Sequence, residues 1–254
     1  MGNLLRLLGR RLISLPFVAF GVVFLVFFLM SFSQYDPAVS ALGENATAEQ
    51  LAAYRHEMGF DRSWGEQFLS YLGGLFQGNL GVYGVNKDSV SSRIATAFPI
   101  TLQLTFIALI IAVVFSVIFG VLAALYRDTW VDQVIRVISI IAIATPSFWL
   151  GVLLIYLLQI KLALLPGAGE LVPFSVDPGE YLARMAMPAF SLGFPVAGQM
   201  TRIIRTSMVE ELDKDYVRTA IGAGVPKRVV IARNVFRNAL ITPVTVLGMK
   251  IGYL

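Results

Sequence analysis

The 254-residue chain has no cysteine and one histidine, His56. A disulfide framework and a thiolate metal site are therefore excluded. His56 alone supplies at most one metal ligand, and it reads as a solvated helix residue. Charge is scarce as well. Only 14% of the residues are Asp, Glu, Lys or Arg, against about 25% in soluble domains. The phosphate-binding pattern GxxxxGK followed by Ser or Thr is missing, so the chain does not read as an ATPase. No pairing of nucleophile with base and no metal-ligand cluster stands out, which leaves catalytic, metal and cofactor roles without candidates. Nothing in the pattern points to nucleic acid.

What is present is apolar: 57% of the residues are hydrophobic, gathered in blocks long enough to cross a bilayer, which takes about 20 residues. The expected architecture is all-α and polytopic, a single transmembrane domain over 1–254. Spans are expected at about 12–32, 100–126, 134–160, 185–201 and 239–254. The first run is too long for a cleaved signal peptide, whose apolar region covers about 7–15 residues. The fifth is still apolar at Leu254, so the chain is expected to end inside a span. Lys/Arg bias sets the orientation. With the N-terminus in the cytoplasm, inner segments carry thirteen basic residues and outer ones six, while Lys250 falls in the last span.

The outer loop, 33–99, reads as structured. Thr47–Gln50 and Ser63–Glu66 are capping boxes, and Gly59 suits a helix end. From Trp64 an apolar stripe follows through Phe68, Tyr71, Leu72, Leu75 and Phe76, stopping near Gly78. It packs on this chain's own helices, lies on the membrane, or docks an external partner. The loop 161–181, rich in Pro and Gly, reads as turns. Within the spans, Ser116, Gly120 and Ala124 share one face, as do Ala189, Gly193 and Ala197, a spacing that permits close helix approach. Pro16, Pro146, Pro195 and Pro243 invite kinks. Lys250 costs about 2.5–3.5 kcal/mol at a helix centre, so it should face protein or water. It is a candidate for the translocation path, with Gln103, Gln199 and Thr201 as weaker ones.

One polar stretch, 202–237, interrupts the apolar pattern with eight Lys/Arg and four Asp/Glu. Ser207–Glu210 reads as a third capping box, with Glu210, Glu211 and Asp213 in the first turns, where the helix dipole favours them. Met208, Leu212, Tyr216, Ala220 and Ala223 recur at helical spacing, which predicts an amphipathic helix of about four turns. Gly224 stands where a left-handed residue ends such a helix, and Pro226 suits the first turn of the next. The expectation is a helix–Gly–helix elbow in the cytoplasm.

At these residues the chain resembles a known family: the permease subunits of bacterial ABC importers, and within them the dipeptide, oligopeptide and nickel branch. The resemblance rests on "DYVRTAIGAG" (Asp215–Gly224) and "RNALITPVTVLG" (Arg237–Gly248). It also rests on "MGFDRSWGEQFLSYLGGLFQGNLG" (Met58–Gly81), "FPITLQLT" (Phe98–Thr105) and "TPSFWLG" (Thr145–Gly151). The family's Glu-Ala-Ala signature falls on Arg218, Thr219 and Ala220, and its Gly on Gly224. The later Ile-x-Leu-Pro portion, at Asn234, Phe236 and Arg237, is poorly kept, as is usual in this branch. The resemblance implies a coupling helix seated in a groove of an ATPase subunit, with Asp215, Tyr216, Val217, Arg218, Thr219, Ala220, Gly222, Gly224 and Pro226 as its site. It implies six spans, of which about five are visible. The implied partners are a second, homologous permease subunit, two ABC ATPase subunits that bind ATP and Mg, an extracytoplasmic substrate-binding protein and the lipid of the bacterial inner membrane. The implied solute is a di- or oligopeptide, with nickel chelate, glutathione or another small solute as alternatives. A secondary transporter or channel remains the reading from another class. It would require ionisable residues inside the spans and an inverted repeat.

Overall fold

The computed structural model describes residues 2–33, 36–167, 169–250 and 252. The chain divides into two compact units, residues 1–98 and 99–254.

In the first unit, helix α1 (Gly2–Met30) is almost wholly apolar from Leu12 onward, and its side chains there are almost all exposed. Such a surface suits lipid. After α2 (Pro37–Leu42), α3 (Ala48–Met58) starts at a complete capping box, Thr47 with Gln50, and ends on Gly59 in the left-handed region. A second complete box, Ser63 with Glu66, starts α4 (Trp64–Phe76). The aromatic stripe of α4 packs on this chain's own first helix. Phe68 lies 5.2 Å from Phe27 and 5.6 Å from Phe24 between ring centres, and Trp64 lies 5.9 Å from Phe24. Phe20, Phe24 and Phe28 recur every four residues, so one face of α1 presents a ladder of rings to that stripe. Phe76, at the far end of α4, stays exposed. A short hairpin, β1 (Val82–Tyr83) paired antiparallel with β2 (Asp88–Ser89), leads into α5 (Val90–Leu125). That helix begins ten residues before the expected span, inside what the sequence reads as loop.

The second unit is organised on one helix, α8 (Pro178–Leu212), which runs for 35 residues through Pro188 and Pro195. Against it lie α5, α6 (Trp130–Ala144) and α7 (Ser147–Leu154). The last is continued by a π-helical turn at Ile155–Lys161. The small-residue faces do what their spacing predicts. A Cβ on Gly193 would lie 2.6 Å from the Ala108 carbonyl oxygen, and one on Gly120 would lie 2.7 Å from Ile204. Gly198 meets α6 in the same way, 2.8 Å from the Ser139 carbonyl oxygen. Pro146 breaks the expected third span: α6 and the segment Ser147–Lys161 are bent by 101°. The break borders a cavity of about 390 Å³ that also touches Pro195 and Val196. The chain then continues through α9 (Asp215–Gly222), α10 (Lys227–Val230), a π-helical turn at Ile231–Val235, α11 (Phe236–Ala239) and α12 (Ile241–Lys250). Of the expected fifth span, Ile251, Tyr253 and Leu254 lie outside the described residues. Among the described residues α1 and α5 are long and apolar enough to cross a membrane, and the bent pair makes a third if it is one span.

The polar ends of these helices are tied by ion pairs. Arg205 of α8 donates from Nε and Nη2 to the two carboxylate oxygens of Asp132 on α6, each at 2.6 Å. Asp132 is fully buried and also accepts from the Asp128 amide at 3.1 Å. Asp128 holds a left-handed turn conformation that Asp tolerates. Next to it, Arg127 donates to Asp213 at 2.9 Å.

Two outcomes follow from this packing. Gly193→Ala should lower the thermal midpoint of the detergent-solubilised protein by about 2–10 °C, because overpacking costs about 1–3 kcal/mol. Gly222→Ala, whose added methyl meets nothing within 4 Å, should leave it unmoved, and equal midpoints would refute the close approach of α5 and α8. Asp132→Ala strands the Arg205 charge and should cost about 3 kcal/mol, the lower end for a broken pair because Arg205 keeps some solvent access. Combining Asp132→Leu with Arg205→Met should restore only part of that loss in the same melting experiment, because Arg136, whose Nε lies 3.5 Å from Asp132, stays without its partner.

Candidate coupling elbow

The polar stretch folds differently from its expected pattern. Ser207 starts no helix; it lies inside α8, which continues to Leu212. The expected four-turn helix is two pieces. Met208 and Leu212 belong to the end of α8, and only Asp215–Gly222 forms the separate helix α9. The break falls at Asp213 and Lys214. Lys214 adopts an extended backbone (φ −71°, ψ 146°) and serves as the N-cap of α9. Asp215 in the first turn of α9 suits the helix dipole.

Gly224 has φ +86°, as its position in the sequence predicts. Its amide donates to the Ile221 carbonyl at 3.0 Å, and the Val225 amide donates to the Ala220 carbonyl at 3.1 Å. This pair of bonds closes the helix end, and the left-handed backbone it requires is relaxed only for glycine. Pro226 then caps α10 one residue before its first turn.

Burial divides α9 into two faces. Val217 is buried and Tyr216 and Ala220 are half-buried. They pack into a core with Ile204 and Met208 of α8, Ala124 of α5, and Val230, Val235 and Ala239 of the following segments. Asp215, Arg218, Thr219, Ile221 and Gly222 are exposed, as are Ala223, Gly224, Val225 and Pro226 in the turn. The exposed face thus combines small residues with two apolar side chains, Ile221 and Val225, and charges of both signs, Asp215 and Arg218. Gly222 has open space around it.

Beneath α9 sits a buried carboxylate, Glu211. The sequence pattern puts Glu211 in the first turns of a helix; it lies instead in the last turn of α8, where the dipole disfavours it. Donors compensate. Tyr216 Oη donates to Glu211 Oε1 at 2.9 Å and Asn238 Nδ2 at 3.2 Å, while Lys214 Nζ meets Oε2 at 2.5 Å. Burial pushes the Glu211 carboxyl up, but the bonds from Lys214, Tyr216 and Asn238 outweigh it and hold it below the ordinary glutamate value. The group is therefore ionised at neutral pH. Its contribution to stability is present above the unfolded glutamate value and is lost as pH falls through the lowered folded value. Asn238 lies in a stretch that carries the resemblance, but its bond to Glu211, like the Asp132–Arg205 pair, had no sequence signal, since each acts through a partner distant in the chain.

The path candidates are scattered. Gln103 accepts from the Tyr181 hydroxyl at 2.6 Å. Gln199 lines a groove of about 460 Å³ with Arg202, Thr206, Ser207, Glu210 and Thr242. Tyr181 and Gln199 are separated by about 27 Å along α8, from 1.5 Å of rise per residue. The Thr201 hydroxyl donates to the Ala197 carbonyl at 2.7 Å, within its own helix. Lys250 is the last residue of α12 and is half-buried.

The description "Binding-protein-dependent transport system inner membrane component" matches residues 116–254, and its N-terminal counterpart matches residues 4–105. The chain is 35% identical over 227 residues to a putative peptide transport system permease protein of Brucella suis biovar 1 (strain 1330), covering 89% of this chain and 72% of the relative. It is 33% identical over 266 residues to a probable D,D-dipeptide transport system permease protein of Escherichia coli (strain K12), covering 97% and 78%. It is also 33% identical over 245 residues to a glutathione transport system permease protein of the same strain, covering 96% and 77%. The chain belongs to the binding-protein-dependent transport system inner membrane components, the permeases of ABC importers.

Proposed function

We propose that this chain forms half of the translocation pathway of an ATP-driven importer of di- or oligopeptides in the bacterial inner membrane. Its N-terminus lies in the cytoplasm, and α9 with the Gly224 turn is the coupling helix. In the assembled importer the fold is a polytopic bundle of membrane-spanning helices. A second, homologous permease subunit completes the pathway. Two ATPase subunits bind ATP and Mg, and an extracytoplasmic binding protein delivers the solute. This chain supplies no ATPase site of its own.

The observation that carries the reading is the two-faced α9. One face is anchored in a core shared with α5, α8 and the α10–α11 segments, while the other is exposed around Gly222. A helix held in this way moves as a unit with the helices behind it. The exposed face suits a partner's groove. Gly222 and Ala223 permit close approach, Ile221 and Val225 offer apolar contact, and Arg218 offers a charge. Lys250, Gln103 and Gln199 are the path candidates. A peptide is favoured because relatives spanning most of the chain are named for peptide, D,D-dipeptide and glutathione transport. That last name keeps glutathione as the second reading of the solute.

The test uses the reconstituted importer. Gly222→Leu adds bulk where this chain has open space, so its own stability should change by no more than about 0.5 kcal/mol. Co-purification of the ATPase subunits should nevertheless fall steeply, and solute uptake with it. Gly224→Leu should do the same with an added loss of stability from its positive φ. Full ATPase recovery and uptake with Gly222→Leu would refute the docking face, and uptake without any ATPase would refute the importer.

A further inference from the structure

The elbow has a weak point. Between α8 and α9 the chain passes through Asp213 and Lys214 with no regular helix. A force applied to α9 would bend that joint unless something braces it. A helix of eight residues has little rigidity of its own, because isolated helices shorter than about 12–15 residues are marginal in water.

Glu211 is placed to brace the joint. It belongs to α8, it accepts from Tyr216 on α9, and it accepts from Asn238 on α11. It also meets Lys214 inside the joint. One carboxylate therefore ties the incoming stem, the elbow helix and the outgoing stem together. It is buried, and its position at the C-terminal end of α8 is unfavourable for an anion. A carboxylate placed against the local rule and saturated with donors marks a site with a job beyond stability. Simple anchoring of α9 is already provided by Val217 in the apolar core. Directional hydrogen bonds add what apolar contact lacks, a fixed angle between the elbow and its stems.

We infer that Glu211 is the positioning residue of the elbow: by bonding Tyr216 and Asn238 at once, it locks α9 to both stems so that work delivered to α9 reaches α8 and α11. This inference rests on the importer reading proposed above and adds to it the route by which force leaves the elbow. Loss of Glu211 leaves the docking face intact and the joint slack. The signature is therefore uncoupling, with ATP hydrolysed but little solute moved.

The experiment compares variants of the full importer in proteoliposomes, with uptake per ATP hydrolysed as the readout, beside ATPase co-purification and thermal midpoint. Glu211→Ala should keep its ATPase subunits and lower uptake per ATP by about tenfold, within the range by which such residues modulate coupling. Tyr216→Phe removes one hydroxyl and should give a smaller loss in the same ratio. Glu211→Gln keeps acceptor oxygen for Tyr216 or Asn238 and should recover part of what Glu211→Ala loses. An unchanged ratio in Glu211→Ala overturns the inference. If that variant does not fold, an unchanged ratio in both Tyr216→Phe and Asn238→Leu overturns it. So does loss of ATPase binding in step with uptake, since that is a docking defect. If the unmodified chain holds no ATPase, the importer reading fails first, which separates the two failures.

Discussion

Backbone-to-backbone contact along α8 is the constraint from which the second unit follows. In lipid there is no hydrophobic drive between helices, so association relies on dispersion at short range and on interhelical polar contacts. Gly193, Gly120 and Gly198 provide the short range, each with a neighbouring helix where a side chain would stand. Once α8 lies against α5 and α6 in this register, Arg205 comes level with Asp132. The pair then satisfies two charges that would be costly apart. Arg127 and Asp213 meet at the next level. The ion pairs are consequences of the glycine packing, and they also restrict sliding along it.

The same helix sets the elbow. Because α8 runs unbroken to Leu212, Met208 and Ile204 remain under α9 and form the floor on which Val217 packs. The short helix has no core of its own; its inner face is an extension of the α8 surface. Gly224 then reverses the chain without strain, and the α10–α11 segments return against α8. In this arrangement α9 touches both stems. The break at Pro146, bent by 101° and bordered by Pro195, lies at the other end of the same α6–α8 contact.

Membership of the binding-protein-dependent permeases gives this architecture its context. What the chain offers is shape. The first unit stacks aromatic rings between α1 and α4 and leaves Phe76 free. The second exposes the turn at Gly222–Gly224.

Local signals in the sequence were legible where the governing forces are local. The capping boxes at Thr47 and Ser63, the left-handed ends at Gly59 and Gly224, and the break at Pro146 all depend on a few neighbouring residues. Small-residue spacing likewise fixed which faces pack closely, because a missing Cβ is a property of the residue itself. Ser207 failed as a helix start for the converse reason. Its capping pattern competed with the packing of α8 on α5, and burial of Met208 outweighed it. Glu211 was misassigned along with it, since its chemistry depends on whether a helix begins or ends there. The sequence by itself determined an apolar, multi-helix chain with a polar elbow turning at Gly224. Only the tertiary structure decided that Glu211 joins Tyr216 to Asn238 and that Asp132 meets Arg205. Hydrogen bonds between residues 27 or 73 positions apart exist only after helix packing has brought their partners within reach.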